Sequence, residues 1–389
     1  MRHSALLDQG RKHRRIWPLR CVILIVSTLV GLGLAELAVR ALGLTSPWYP
    51  EADTAIVLHH VDPNGLIKLT PNWEGFIGYV WTQINANGFR DRVYGPEPPP
   101  GRVRVAVLGD SYTMGDGVPL DATYPKQLEK LLCDQHNCEV MNCGISDTNS
   151  GNQLETLREV LRDYHPHLVV VGYNINDFYY RKQTRFADLA NAGFTYTVQP
   201  DGRVTITQEY TWFQRVKLVM RRHSDLYRWV THVRDTLVWR ARAPSEFDAL
   251  ARTQGWIAEG GHLKSFQALE EMQKLCAQQG VPFLVLILPG LIDMPQSVAG
   301  MKDYPYGKEH EMMHEQMRAR GLAYLDLLPN FADEKITVLA ANPFDRHYSR
   351  YGNEIVAKAA LKRVEAEIVA LQKRLSRRDD SNGTGKLLP

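Results

Sequence analysis

Cysteine is scarce in this chain, with 5 in 389 residues, and the spacing fits no metal-binding pattern, which excludes a cysteine-built metal site. A surplus of one charge is also lacking. The 46 Lys and Arg against 43 Asp and Glu leave a net charge of +3, too little to expect a nucleic acid or a strongly acidic partner. No internal repeat is visible, so a solenoid is not indicated. With 44% hydrophobic and 23% charged residues, the composition is that of a globular protein and disorder is not the default reading.

What is there begins at the N-terminus. Arg11, Lys12, Arg14 and Arg15 precede an apolar run from Cys21 to Ala35, inside a wider stretch, Ile16 to Leu44, interrupted only by Pro18, Arg20, Glu36 and Arg40. A spanning helix needs roughly 20 apolar residues. The uncharged part is shorter, but Arg20, Glu36 and Arg40 lie near its ends, where their side chains can snorkel to the interface. The basic flank predicts a cytoplasmic N-terminus. A cleaved signal peptide and a buried core helix are the alternatives. No clean small-x-small cleavage site follows, because Leu37, Ala38 and Val39 lead into Arg40, so an uncleaved anchor is preferred. Residues 1–15 then read as cytoplasmic, 16–44 as a transmembrane anchor, and the remainder as periplasmic or extracellular. Disulfides persist there. Cys133 and Cys138 bracket the turn Asp134 to Asn137 and are read either as a bridge or as two free thiols, while Cys143 and Cys276 read as small core residues.

Residues 45–100 are rich in Pro, Gly, Asn and Trp and read as a linker with a small β extension. From residue 101 the pattern changes. Apolar strands are predicted at Val103–Leu108, Val140–Asn142, Leu168–Tyr173, Val281–Leu288 and Ala323–Leu327. Helical spacing follows them at Tyr124–Leu132, Leu154–Leu161, Phe266–Gln279, Glu309–Arg320 and Glu354–Leu375. This alternation predicts an α/β fold with right-handed crossovers around a parallel sheet over 101–375. Residues 178–260 interrupt it with an α+β insertion. A hairpin is signalled around Pro200-Asp201-Gly202, followed by helices at Trp212–Met220 and Leu226–Arg242 that carry many Arg and Lys. A basic amphipathic segment can meet a membrane surface or an anionic polymer. The preferred reading is a lid with a solvated basic face. Residues 376–389 read as a disordered tail.

Four polar blocks follow the predicted strands. Gly109-Asp110-Ser111 ends the first strand, where open α/β sheets bind ligands, and its turn exposes a hydroxyl beside backbone N–H groups. Asn142-Cys143-Gly144 ends the second, where Gly144 lets the backbone approach a ligand. Asn174-Ile175-Asn176-Asp177 ends the third and offers an amide donor. Asp345-Arg346-His347 precedes the last helix, and a histidine there can take and return a serine proton. Taken singly, each has a bland reading: a turn, a helix entry, a cap, a surface residue. Their joint occurrence in this order argues for a site.

The set resembles the SGNH hydrolases, the GDSL esterase/lipase family, whose four blocks match Ser111, Gly144, Asn176 and His347 across about residues 101–375. The upstream Ile84 to Asp91 is similar to a segment preceding the catalytic domain of membrane-anchored bacterial members. The resemblance implies a three-layer α/β/α fold with a flavodoxin-like sheet, ester hydrolysis or acyl transfer, and no cofactor. It assigns Ser111 as nucleophile, His347 as base, Asp345 as its orienter, and Ser111, Gly144 and Asn176 as oxyanion donors. Two departures stand out. Asn174 occupies the usual glycine place, which leaves Asn174 as a rival to Asn176, and Asp345-x-His347 is one residue shorter than usual, with Asp326 as the substitute orienter. The expected substrate is a short acyl ester on carbohydrate or cell envelope. An O-acyltransferase or lipase, and a non-catalytic glycan-binding or assembly protein, are the alternatives.

Overall fold

The computed structural model describes residues 2–42, 44, 59–61, 66–77, 80–179, 195–198, 204–207, 211–242, 253–291, 294, 298–341 and 346–383. The chain forms two compact units. One holds residues 1–50 and 210–241, the other residues 51–209 and 242–389.

The first unit contains α1 (Arg2–Ala41), with a stretch from Arg20 to Ala41 long and apolar enough to cross a membrane. The second opens with two antiparallel hairpins, β1 (His59–Val61) with β2 (Ile67–Leu69) and β3 (Glu74–Ile77) with β4 (Val80–Gln83), as expected of a β extension. Next come β5 (Val103–Gly109), α2 (Ser111–Met114), α3 (Tyr124–Cys133), β6 (Cys138–Gly144), α4 (Ser150–Tyr164) and β7 (Leu168–Tyr173). The insertion supplies a hairpin, β8 (Thr195–Val198) with β9 (Val204–Thr207), and the helices α5 (Trp212–His223) and α6 (Asp225–Arg242) of the first unit. The second unit resumes with α7 (Gly261–Gln278), β10 (Phe283–Ile287), α8 (Gly307–Ala319), β11 (Tyr324–Asp326), two short helices α9 (Leu328–Phe331) and α10 (Ile336–Leu339), and α11 (Arg350–Gly383). One expectation is corrected here. The tail read as disordered from Ser376 continues α11 to Gly383, because its Arg, Asp and Ser residues do not break a helix already propagating from a packed face.

The five strands of the central sheet are all parallel, in the order β6-β5-β7-β10-β11. By chain order this is 2-1-3-4-5, the flavodoxin-like arrangement. β5, β6, β7 and β10 are buried along their whole length, which is why they read as near-continuous apolar runs. α3 packs with α11, and α4 with α7, as the helical layers. Leu128, Leu157, Phe266, Leu269, Val356 and Val364 are their buried contacts to the core. The strand order reverses at β5, so a crevice opens at the carboxyl ends of β5 and β7, where the polar blocks lie.

The upstream segment belongs to this unit. Arg104 on β5 pairs with Glu139 on β6 at 2.7 Å and donates to the carbonyls of Gly95, Pro96 and Tyr164. Cys133 and Cys138 form a disulfide joining the end of α3 to the start of β6, while Cys143 and Cys276 are buried free thiols. Opening so short a loop removes about 2 kcal/mol of chain-entropy stabilisation. Cys133→Ser is therefore expected to lower the unfolding free energy by about that amount while leaving activity at ambient temperature, as denaturant titration of the purified protein can measure.

Candidate active site

Ser111 opens α2 directly after β5. Asp110 is the N-cap, its Oδ1 accepting from the Tyr112 N–H at 2.9 Å, and Gly115 closes the turn in a left-handed conformation (φ 84) with its N–H donated to the Ser111 carbonyl. Neither the N–H nor the hydroxyl of Ser111 is taken by a hydrogen bond among the described residues. Ser111 is buried, and at the start of a short helix its N–H is among those with no acceptor inside the helix.

The other Asp110 oxygen collects the third block. Oδ2 accepts from Asn174 Nδ2 at 3.0 Å and from Asn176 Nδ2 at 2.8 Å. The two asparagines differ in what they leave over. Asn174 is fully buried and its Oδ1 also caps the following turn, accepting from the Asn176 N–H at 2.9 Å. Asn176 is only half-buried, and its amide nitrogen carries a second hydrogen beyond the one given to Asp110. Asp177 accepts from the Asn174 N–H at 3.1 Å and from Ser150 Oγ at 2.8 Å, which ties this turn to the start of α4.

Gly144 departs from expectation. Its N–H donates to Asn142 Oδ1 at 3.0 Å and so is not offered to a ligand. The glycine is needed for packing: a Cβ there would sit 2.3 Å from the Met114 backbone nitrogen, inside the turn that carries Ser111. The loop beyond it turns at Asp147, held at φ 61, a position that no periodicity in the sequence flagged.

His347 lies just before α11, half-buried, with its carbonyl accepting from the Ala341 N–H at 2.7 Å. Its ring is 5.3 Å from that of Tyr112, the residue after Ser111. Tyr112 is held in turn: Tyr348 packs on it at 4.7 Å, and the Tyr112 hydroxyl accepts from the Leu291 N–H at 2.6 Å. The structure thus joins the first and third blocks through one buried carboxylate and sets His347 against the residue that follows Ser111.

A model of the GDSL-like lipase/acylhydrolase family matches residues 107–355. The chain belongs to this family. An arylesterase from Vibrio mimicus is 32% identical over 75 residues, covering 19% of this chain and 38% of that protein. The chain therefore aligns with well under half the length of that curated relative. Among solved structures, a lipase/acylhydrolase from Enterococcus faecalis is 11% identical, with 68% of this chain and 96% of that chain covered and a TM-score of 0.36. A mutant acetyl-xylooligosaccharide esterase from Geobacillus Stearmophilus is 15% identical, with 68% and 94% covered and a TM-score of 0.35.

In this GDSL-like hydrolase the proposed orienter, Asp345, lies outside the described residues. The substitute, Asp326, is engaged elsewhere: it accepts from His310 at 3.2 Å and His314 at 2.8 Å. Burial works against its charge, but these imidazoles and the Leu328 N–H outweigh it and hold its carboxyl below the usual range. Arg346 is half-buried and donates to the Met294 carbonyl at 2.7 Å. Sequence reasoning also missed Arg90. Its buried guanidinium donates to the carbonyls of Met114 (3.2 Å), Gly115 (2.6 Å) and Val118 (2.7 Å), clamping the far end of the nucleophile turn. Beside it Asp91 accepts from the Asn142 N–H at 2.8 Å and from Lys126 at 3.0 Å. The signal was present in the Gly88-Phe89-Arg90-Asp91 segment, a charged pair inside an otherwise plain β extension. Among the described residues no cluster of three His, Cys, Asp or Glu side chains is placed to hold a metal ion.

Two outcomes follow from this geometry. Gly144→Ala forces the Thr113–Met114 backbone to shift, so it is expected to cost about 3 kcal/mol of stability and to lower kcat, readable by denaturant titration and initial rates. The second concerns pH. Burial pushes both Asp110 and Asp177 up, and Asp110 adds its repulsion to Asp177. In the unfolded chain an Asp loses its proton near pH 4 (about 3.9). A raised folded pKa means the folded state keeps the proton longer, so this contribution is greatest below about pH 4 and is lost as pH rises toward the folded value. The stability of wild type relative to Asp177→Asn should therefore decline as pH is raised from 4 to 8, and a flat difference would contradict the assignment.

Proposed function

We propose that this hydrolase is a membrane-anchored serine esterase acting outside the cytoplasm on short acyl esters of carbohydrate or cell-envelope material. The observation that carries the reading is the meeting, at the switch point of the sheet, of the Asp110-capped turn that Ser111 opens, the Asn176 amide held by Asp110, and the His347 ring 5.3 Å from that of the adjacent Tyr112.

In the proposed reaction the His347 imidazole removes the Ser111 hydroxyl proton as Oγ attacks the ester carbonyl carbon. The oxyanion receives the Ser111 N–H and the second hydrogen of the Asn176 amide, each donor lowering the barrier by about 3 kcal/mol. The C–O bond to the alcohol then breaks, His347 returns the proton to the departing oxygen, and an acyl-serine remains. Water, deprotonated by the same imidazole, attacks the acyl carbon and regenerates Ser111. Asp345 is assigned to orient the imidazole. Asn176 is preferred over Asn174 because Asn174 is fully buried while Asn176 is half-buried.

Two features support the location. The stretch Arg20–Ala41 is apolar and exposed along nearly its whole length, and its basic flank sits on the N-terminal side. The Cys133–Cys138 disulfide suits an oxidising compartment. A fixed position outside the cytoplasm favours envelope or exported polysaccharide as the acyl carrier.

The test is a chain-length series of nitrophenyl esters and acetylated polysaccharide, offered to the full chain in detergent. The expected result is highest kcat/KM at acetyl to butyryl esters with release of free acid from the polysaccharide. A maximum at long chains would make it a lipase, and acyl transfer to added sugar without free acid would make it a transferase. Glycan binding with no turnover would make it a binding protein. A mature protein whose N-terminus begins beyond Ala35 would overturn the anchor.

A further inference from the structure

The apolar stretch of α1 contains one acidic residue, Glu36, and the structure gives it a partner in the insertion. Oε1 accepts from the Asp225 N–H at 2.8 Å, and Oε2 accepts from the Leu226 N–H at 3.0 Å and Ser224 Oγ at 2.8 Å. These are N–H groups of the first turn of α6, which lack acceptors within their own helix, and a carboxylate also suits the positive end of the helix dipole. Arg40, one turn on, pairs with Glu36 at 2.8 Å and donates to the His223 carbonyl at 3.3 Å. The joint between α5 and α6 is thereby fixed to α1 about 8 Å short of its C-terminal end, at 1.5 Å per residue.

α5, which ends at that joint, has a composition set for an interface. Trp212, Phe213, Val216, Val219 and Met220 fall within an arc of about 120° on the helix, at 100° per residue. Arg215 borders the arc on one side and Lys217 on the other, and the helix has no Asp or Glu. All five apolar side chains are exposed, Trp212 by 69%, Phe213 by 71% and Val219 by 58%. A soluble domain does not leave a Trp-Phe pair and an aliphatic ridge in water without a partner. Aromatic and aliphatic residues on one face with basic flanks fit the boundary between acyl chains and anionic headgroups.

We propose that α5 is an interfacial helix, its apolar face sunk in the outer boundary of the bilayer that α1 crosses, with Arg215 and Lys217 meeting anionic lipid headgroups and Glu36 fixing its depth. The inference rests on the reading of α1 as a membrane span, and it replaces the solvated lid expected of this segment. Continuity decides for the lipid surface over a protein partner. The α5–α6 joint is held by a residue inside the apolar stretch itself, at its outer end.

The experiment uses the full chain with Cys21→Ser, single cysteines at Val26, Val216 or Lys217, and nitroxide labels, in phosphatidylcholine–phosphatidylglycerol vesicles. Collision with oxygen, which partitions into lipid, is compared with collision with a water-soluble nickel chelate. The oxygen-to-nickel ratio at Val216 is expected to match that at Val26 and to exceed that at Lys217 by on the order of tenfold. If Val26 favours oxygen while Val216 favours nickel as Lys217 does, the anchor stands and the inference is overturned. A Val216 label shielded from both reagents would mean that protein covers α5, which also overturns it. If Val26 itself favours nickel the span reading fails, and the inference falls with it.

Discussion

A carboxylate with no access to water persists only where donors surround it, and Asp110 is such a group. Its two oxygens accept from the N–H of Tyr112, which sets the nucleophile turn, and from the amides of Asn174 and Asn176, which set the turn after β7. Two strand ends far apart in sequence are thus held in register by one residue. Asp110 itself reacts with nothing. It is a positioning residue, and the freedom left to Ser111 and Asn176 follows from what it takes up elsewhere.

Around it, space is as closely specified as charge. Gly144 allows the end of β6 to lie against the backbone of the nucleophile turn, where no side chain fits. From the other side Arg90 holds three carbonyls of the same turn and its exit, and Asp91 holds the N–H of Asn142 on β6. The segment upstream of the sheet, which looks like a linker, therefore supports the reacting groups. A turn clamped at both ends loses little entropy when a substrate arrives, which is how such a site is preorganised.

Much of this was legible in the sequence because it is local. Val103–Leu108 and Leu168–Tyr173 are apolar runs bounded by polar turns, and the structure makes strands of both. Ser111 and Asn176 stand out because polar residues just after buried strands have few structural reasons to be there. What was missed depends on distance in sequence. The partner of Gly144 is a side chain two residues back, yet its packing partner, Met114, is 30 residues away, so the glycine looked like a donor. Arg90 and Arg346 donate to backbone carbonyls, a pairing that no pattern of spacing shows. The end of α11 was misjudged because its last turns are compositionally those of a tail.

The central claim is that Ser111, in the turn capped by Asp110, is the nucleophile. It is tested most directly by treating the full chain with a fluorophosphonate and mapping the adduct by peptide mass spectrometry, beside Ser111→Ala. The account expects stoichiometric phosphonylation of the peptide containing Ser111, and no adduct anywhere in the folded variant. An adduct on another residue, or one that survives in Ser111→Ala, would contradict it.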